Sequence, residues 1–270
     1  MEWLEIIILA LIQGLTEFLP ISSSAHLLLP SKLLGWSDQG LAFDVAVHVG
    51  SLIAVLVYFR QEVIDMTRAW FTDLPRIFSD SPLSQDARLA WAVILGTIPV
   101  GLAGLLFKSF IEANFRSAFV IAMMTITFGI FLWLADRKKN NTQDEYQLDF
   151  KRVLMIGIAQ AIALIPGTSR SGVTMTAGLL LGLTRQAAAR FSFLLSIPVI
   201  TLAGGLLTFD LVQQPEPVAW ADIALGTGIS MISAYACIHL FLKVIERIGF
   251  MPFIIYRMIL GVAILMIVGL

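Results

Sequence analysis

Long apolar stretches dominate the chain and determine the elements that its sequence predicts. A helix that crosses the hydrocarbon core of a bilayer needs about 20 mostly apolar residues. Six stretches meet that length, at about residues 41–59, 89–107, 117–135, 187–209, 219–242 and 251–269. We therefore expect six transmembrane helices.

Two further apolar regions, at about residues 3–35 and 153–183, are interrupted by polar residues at their centres. The first contains Glu17, Pro20, three serines at 22–24 and His26, and the second contains the segment 166–172. Polar breaks persist at membrane depth only where they are buried in protein or line a wet cavity. We expect each region to form a re-entrant hairpin of two short helices joined at the break.

Composition supports an all-α polytopic membrane protein. The 270 residues are 58% apolar and only 14% charged, with a net charge of -1, whereas soluble domains carry about 25% charged residues. This balance excludes a soluble globule, a disordered chain and a nucleic-acid-binding protein with a basic face. Cys237 is the single cysteine, so an intramolecular disulfide is impossible. The chain starts Met1-Glu2-Trp3 without a basic segment, so we expect no cleaved signal peptide.

Positive charge is distributed unevenly among the connections. Thirteen of the 18 Lys and Arg residues lie in the segments 60–88, 136–152, 185–190 and 243–247. Basic loops face the cytoplasm, and these four segments share one side only if 153–183 enters and leaves on that side. The charge pattern therefore predicts that the second hairpin opens to the cytoplasm and the first to the external side.

The two halves of the chain resemble each other. Pro20 and its serines return as Pro166 with Ser169 and Ser171, and the triplet at 95–97 returns at 225–227. Each half reads as one hairpin followed by three spans, and because three is odd, the second half must be inverted. We expect a single membrane domain over 1–270, with repeat one at about 1–135 and repeat two at about 150–270. Inverted repeats with broken helices are typical of transporters, and the breaks indicate the binding site.

The first break carries groups suited to nucleophilic chemistry. Gln13 and Glu17 are four residues apart, so they share one helix face. Serines 22–24 follow Pro20, where they can cap the next helix, whose N-terminus favours anions. His26 is three residues from Ser23. A serine hydroxyl needs a base to become a nucleophile, and Glu17 or His26 can supply one.

The second break adds a cation among small residues. Arg170 lies within the run Gly167-Thr168-Ser169-Arg170-Ser171-Gly172. A guanidinium can bind two phosphate oxygens at once, and positioning with charge stabilisation accounts for most of the catalysis in phosphoryl transfer. Both breaks together therefore indicate a site for a phosphorylated ligand.

Structural roles for these residues stay open at the level of sequence. Glu17 can simply pair with Arg170, the serines can simply cap a helix, and His26 can donate to a backbone carbonyl. Asp44 and His48, four residues apart, can join Glu17 at a metal or be satisfied interfacial groups. His239 and Arg257 belong to no evident constellation and are interpreted as structural.

The motifs resemble those of a known family, the undecaprenyl-diphosphate phosphatases or bacitracin-resistance proteins of bacteria. Residues 13–26 are similar to its first signature and residues 166–172 to its second, and Phe43-Asp44 before Gly50-Ser51 and the run 191–195 also fit. The resemblance covers essentially the whole chain. Many members carry Glu where this chain has Gln13, which cannot ionise, so Glu17 is the expected acid and a two-carboxylate metal site is weakened.

The resemblance implies hydrolysis of undecaprenyl diphosphate to undecaprenyl phosphate and inorganic phosphate. This reaction recycles the lipid carrier of peptidoglycan synthesis and confers resistance to bacitracin, which competes for the same diphosphate. The resemblance further implies a divalent cation, Mg or Ca, and a multi-pass protein of the bacterial plasma membrane, the inner membrane where there are two. We expect the site to face the external, periplasmic side.

Together these inferences define a predicted site. The expected catalytic residues are Glu17, Ser23, His26 and Arg170, and Glu17 is also the expected metal ligand, with Asp44 and His48 as further candidates. The expected substrate-binding residues are Gln13, Ser22, Ser24, Gly167, Thr168, Ser169, Ser171 and Gly172. The nucleophile is Ser23, His26 or a metal-activated water. The alternative function is a lipid or anion transporter, or flippase, that uses the same inverted-repeat site.

Overall fold

The chain folds into a bundle of α-helices. The computed structural model describes residues 2–33, 35–36, 40–78, 81–138, 141–212 and 219–268, and these ranges contain no β-strand. The helices are α1 Trp3–Glu17, α2 Ser23–Leu33, α3 Gly40–Tyr58, α4 Arg60–Asp73, α5 Gln85–Asn114, α6 Ala118–Asp136, α7 Phe150–Ala161, α8 Arg170–Leu180, α9 Arg185–Val212, α10 Trp220–Ile248 and α11 Met251–Val268. The predicted all-α class is confirmed.

Among the residues that the structure describes, five helices are long and apolar enough to cross a membrane, namely α3, α5, α6, α9 and α10. They match the first five predicted spans. The sixth predicted span, at about 251–269, coincides with α11, whose apolar part Met251–Ile267 is shorter. The chain is therefore a polytopic membrane protein.

Both interrupted regions form two short helices with a break between them. Residues 18–22 separate α1 from α2, and a segment with a short 3-10 turn at Ile162–Leu164 separates α7 from α8. Ser22 and Ser169 have φ of 72° and 71°, the only positive values among non-glycine residues of the described chain. Each serine directly precedes a helix. A left-handed residue costs about 1–3 kcal/mol, so the surrounding contacts must hold both turns in place.

Ion pairs gather several connections at one end of the bundle, which we call the basic end. The guanidinium of Arg190 bonds to Glu145 at 2.6 Å and to Glu62 at 3.0 Å. Arg185 bonds to Asp136 at 2.6 Å. The basic end therefore unites the start of α4, the C-terminal end of α6 and the connection that follows α6 with the start of α9. These connections carry much of the positive charge that the sequence concentrates in four segments.

The hairpin of α7 and α8 begins and ends at the basic end. Lys138 Nζ donates to the carbonyl of Leu180, the last residue of α8, at 2.7 Å. Asn141 Nδ2 donates to the carbonyl of Leu179 at 2.9 Å, and α7 begins at Phe150, after the same connection. The hairpin of α1 and α2 lies toward the opposite end, where Trp36 packs with Ile6 and Leu225.

Small residues let the hairpins approach the long helices closely. α1 packs against α10, and α7 packs against α5. A Cβ atom on Gly14 of α1 would lie 2.6 Å from the carbonyl oxygen of Ser230, and one on Gly157 of α7 would lie 2.6 Å from that of Gly96. Small residues at helix contacts are the usual means of close packing in membranes. Each hairpin therefore packs on a long helix of the other half.

The main apolar core lies around the breaks. Phe18, which follows Glu17, contacts Phe193 of α9 with ring centroids 5.3 Å apart. Phe59 and Phe241 lie next to the same ring. Large apolar side chains are also exposed around the bundle, as expected for a surface that faces lipid.

The polar connection after α3 forms a helix of its own, α4, followed by a short 3-10 turn at Leu74–Phe78. Asp73 accepts the backbone N–H of Ser84 at 2.7 Å and pairs with Arg76 at 3.0 Å. Hydrogen bonds from the Ser84 side chain and backbone, with the charge of Arg76, hold the pKa of Asp73 below its usual value. This carboxylate therefore fixes the loop that leads into α5.

Substitution of Gly157 by Ala is expected to destabilise the protein by about 1–3 kcal/mol, because the added methyl overpacks the contact with the Gly96 backbone. Thermal unfolding in detergent measures the change. Gly228→Ala is the matched control, since a Cβ there meets no atom within 4 Å. Equal stability of the two variants would contradict the close contact of α7 with α5.

Candidate active site

An ion pair joins the two breaks. Glu17 Oε1, at the end of α1, lies 3.0 Å from Arg170 Nη2, at the start of α8, and the two side chains are 10% and 12% exposed. The expectation that Glu17 pairs with Arg170 across the hairpins is confirmed. Both groups therefore keep a small accessible area at the contact between the hairpins.

Glu17 also holds the hydroxyl of Ser23. Its Oε2 accepts a hydrogen bond from Ser23 Oγ at 3.1 Å and another from Gln13 Nε2 at 3.1 Å. The carboxylate can therefore receive the proton of Ser23, which is the arrangement that an activated serine requires. Gln13 orients the carboxylate, and the Oε1 atom of Gln13 is buried without a hydrogen-bond donor in the described chain.

Arg170 is held from two sides. Its Nη1 donates to the backbone carbonyl of Ser192 at 3.0 Å, and its guanidinium carbon lies 5.9 Å from the ring centre of Phe18. Arg170 is the first residue of α8, where the helix dipole and free N–H groups favour an anion. This position combines a cation with the positive end of a helix.

Hydroxyl groups tie one break to the other. Ser171 Oγ donates to the carbonyl of Leu19 at 2.8 Å, and the backbone N–H of Gly167 donates to Ser24 Oγ at 3.3 Å. Gly167 has φ of 91°, and a Cβ there would lie 2.3 Å from the Ile121 carbonyl oxygen, so this position requires glycine. The tips of the hairpins are thus in direct contact.

The remaining predicted binding residues line the same two turns. Ser22 Oγ lies 3.1 Å from Ser24 Oγ, and Ser169 Oγ accepts the N–H of Gly172 at 3.1 Å, which caps α8. The hydroxyl of Thr168 is buried without a partner in the described chain. Ser169 therefore caps α8, whereas the capping of α2 by serines 22–24 stays a prediction.

His26 contacts other partners than Ser23. Its Nδ1 lies 2.7 Å from the Ser22 carbonyl oxygen and its Nε2 lies 2.7 Å from the Tyr256 hydroxyl. Because a carbonyl oxygen only accepts, Nδ1 is the donor, and in the neutral ring Nε2 accepts the Tyr256 proton. The expectation that His26 donates to a backbone carbonyl is confirmed, and Glu17 is the group that bonds to Ser23.

Arg257 of α11 connects both breaks, although its side chain is fully buried. Its guanidinium donates to the carbonyls of Pro20 at 3.0 Å, Gly167 at 3.1 Å and Thr168 at 3.0 Å. Nε donates to the carbonyl of Thr125 in α6 at 3.0 Å. The structural interpretation of Arg257 agrees with these bonds, but the sequence did not link it to the site.

Tyr256 and Arg257 are the site residues that sequence reasoning missed. An arginine within an apolar span is a signal, because charges at membrane depth are costly and face a protein interior or cavity. Tyr256 carries no comparable signal. It is 230 residues from His26 along the chain, so spacing alone cannot connect them.

Asp44 and His48 make a local contact. His48 Nδ1 lies 2.7 Å from the Asp44 carbonyl oxygen. Among the residues that the structure describes, no three His, Cys, Asp or Glu side chains form a group that could hold a metal ion. The predicted trio of Glu17, Asp44 and His48 is therefore not gathered around one point.

Arg257→Met is expected to unfold or strongly destabilise the protein, because each buried carbonyl left without a donor costs about 1–3 kcal/mol. Arg257→Lys should recover only part of the loss, since one ammonium group cannot reach α6 and both breaks. Thermal unfolding in detergent tests this, with Arg247→Met at an exposed position as the control. An Arg257→Met protein as stable as the control would disprove that the Arg257 guanidinium holds the two breaks and α6 together.

Tyr256→Phe is expected to remove the hydrogen bond at His26 while the stacked ring stays, since the ring planes differ by only 4°. Nitrogen NMR of ¹⁵N-labelled histidine should then show a shift of one imidazole Nε2 signal among the three histidines of the chain. Tyr235→Phe, in a ring pair with Tyr58, is the control. Unchanged imidazole signals in Tyr256→Phe would mean that the hydroxyl does not bond to His26.

Comparison with known proteins matches the chain along nearly its whole length. It is 62% identical over 268 residues to a protein of Stutzerimonas stutzeri named undecaprenyl-diphosphatase 2, with 98% of each chain covered. It is 60% identical to undecaprenyl-diphosphatase of Hahella chejuensis and 57% identical to undecaprenyl-diphosphatase 1 of Pseudoalteromonas translucida, again with 98% coverage of each chain. Residues 6–263 match the family described as bacitracin resistance protein BacA. The chain belongs to this family.

Proposed function

We propose that this protein is an integral-membrane phosphatase that hydrolyses undecaprenyl diphosphate to undecaprenyl phosphate and inorganic phosphate. The names of its relatives support this activity, and the observation that carries it is the contact of Ser23 and Arg170 with one carboxylate, Glu17. Hydrolysis of this lipid recycles the carrier of peptidoglycan synthesis. It also lowers the amount of diphosphate that bacitracin can bind, which accounts for resistance.

In the proposed binding step, Arg170 turns part of its guanidinium from Glu17 to the diphosphate. A guanidinium can bind two phosphate oxygens, and the backbone N–H groups at the start of α8 add further donors. Ser169, Ser171 and Gly172 lie in that first turn. Gln13 keeps the carboxylate of Glu17 aimed at Ser23.

In the proposed chemical step, Ser23 Oγ attacks the terminal phosphorus and its proton passes to Glu17. The bond from this phosphorus to the bridging oxygen breaks, and undecaprenyl phosphate leaves. Water then attacks the phosphorus of the phosphoserine, the bond from phosphorus to Ser23 Oγ breaks, and Oγ takes back its proton from Glu17. Inorganic phosphate leaves with the hydrogens of the attacking water. Attack by His26 is less favoured because both ring nitrogens already have partners, and direct attack by water remains the competing route.

A divalent cation, Mg or Ca, fits beside Glu17 if it arrives with the diphosphate. Mg²⁺ is commonly held by one or two carboxylates together with substrate phosphates. Glu17 and the donor-free Oε1 of Gln13 are the protein oxygens that would hold it. The cation would neutralise charge that develops on the phosphate oxygens.

We propose two inverted repeats, at about 1–135 and 150–270, each with one re-entrant hairpin and three spans. Reciprocal packing supports this layout, because α1 packs on α10 and α7 packs on α5. The left-handed serines at 22 and 169 lie at equivalent places. We place the protein in the bacterial plasma membrane. Because basic segments face the cytoplasm, the basic end lies on that side and the site opens to the external side. The same layout favours lipid transport as the second candidate function.

Glu17→Gln and Arg170→Lys are each expected to lower phosphate release from undecaprenyl diphosphate by about 10²–10⁴-fold, the range for loss of a general base or a positioned charge. Glu246→Gln, at the basic end, is the matched control. Phosphate release by detergent-purified protein is measured with and without a chelator, and loss on chelation supports the cation. Rapid quench that traps phosphate on Ser23 distinguishes serine attack from water attack.

Wild-type protein that releases no phosphate with several metals would refute the phosphatase, and uptake of labelled lipid into the inner leaflet of liposomes would then test the transporter. Activity of Glu17→Gln equal to that of Glu246→Gln would refute Glu17 as the base. Folding of each variant is verified by its unfolding temperature.

A further inference from the structure

A cavity of about 410 Å³ lies between α5 and α9, apart from the four predicted catalytic side chains. One face of α5 lines it with Val100, Gly101, Gly104 and Leu105, and α9 supplies a matching apolar face that includes Leu202 and Leu206. A Cβ on Gly101 would meet no atom within 4 Å. The missing side chains of the glycines therefore leave this space open.

The two ends of the cavity differ in chemistry. Leu164 and Pro166 form its inner end, and they belong to the same break as Arg170. Lys108 and Arg116 form its outer end, where α5 finishes and the chain passes to α6. The cavity is therefore apolar on the inside and basic at the rim, as expected for a site that takes an anionic amphiphile.

We infer that this cavity docks the polyprenyl diphosphate substrate before it reaches the catalytic site, an inference that rests on the proposed function. The diphosphate lies at Lys108 and Arg116, and the polyprenyl tail of the lipid runs along the groove toward Pro166. From Val100 to Ile111 the groove follows α5 for about 16 Å at 1.5 Å per residue. At about 30 Å³ per heavy atom, the volume taken by a liquid water molecule, the cavity admits about a dozen carbon atoms.

The orientation agrees with the bilayer. A lipid of the external leaflet has its head at the interface and its chain toward the midplane, which is the order of the basic rim and the apolar interior. Because Pro166 leads directly to Gly167 and Arg170, the inner end of the groove adjoins the break that holds the catalytic cation, and a lipid that shifts inward along the groove brings its head toward that break. The fit of the polyprenyl tail in the groove therefore determines which lipids are captured, while Glu17 and Arg170 carry out the reaction.

Gly101→Leu tests the inference, because its side chain starts from a Cβ with no atom within 4 Å and extends into the groove. The KM for the C55 diphosphate is expected to rise at least tenfold, while kcat for C55 and both constants for the C5 isopentenyl diphosphate, whose chain is too short to extend from Lys108 to Gly101, stay within twofold. Gly205→Leu is the matched control, because Gly205 lies on α9 outside the lining and its Cβ would also meet no atom within 4 Å.

The combined change Lys108→Gln with Arg116→Gln is expected to raise the KM of C55 and to weaken the dependence of this KM on salt.

Direct binding separates this inference from the proposed activity. Native mass spectrometry of the detergent-purified protein counts bound undecaprenyl phosphate, and Gly101→Leu should lose at least tenfold affinity, whatever the hydrolytic activity. Unchanged KM and unchanged binding in Gly101→Leu would overturn the docking site. Equal competition by phosphatidylglycerol would overturn the polyprenyl assignment. Wild-type binding without any phosphate release would instead refute the phosphatase alone.

Discussion

The arrangement of the site depends on one buried guanidinium. A break in a helix leaves backbone carbonyls without partners, and in a membrane no bulk water can satisfy them. Arg257 donates to carbonyls of both breaks and of α6, so one side chain supplies hydrogen-bond donors to the backbone carbonyls of two turns. Burial of an unpaired charge is costly, but several dipoles that point their oxygens at the guanidinium offset that cost. The charge and the breaks are stable only together.

The bonds of Arg257 to both breaks fix the distance between groups that come from different halves of the chain. Glu17 and Ser23 belong to the first hairpin and Arg170 to the second, and neither hairpin alone contains both the acid and the cation. Ser171 and Ser24 add bonds between the tips. Preorganised charges of this kind act strongly because they need little rearrangement during the reaction. The polar centre therefore belongs to the contact between the hairpins.

Sequence patterns predicted the local elements and one long-range pair. Apolar length located the spans, polar residues located both breaks, and the cost of membrane charge pointed to Glu17 and Arg170. The spacing of His26 from Ser23 was less informative, because helix periodicity places two residues on one face but does not fix where a ring turns. The imidazole turns to Tyr256, and the partners of Arg257 are backbone carbonyls, which any sequence provides. Such contacts depend on tertiary packing and leave no side-chain pattern to find.

The position of Arg257 along the chain has a consequence for biogenesis. Arg257 is 237 residues beyond Pro20, whose carbonyl it satisfies. During synthesis the first hairpin therefore enters the membrane long before its partner exists. Until α11 is made, the early turn must keep its carbonyls hydrated or borrow donors from the insertion machinery. α11 thus completes the polar contacts of both breaks, and a chain that stops before it would leave these turns without their guanidinium.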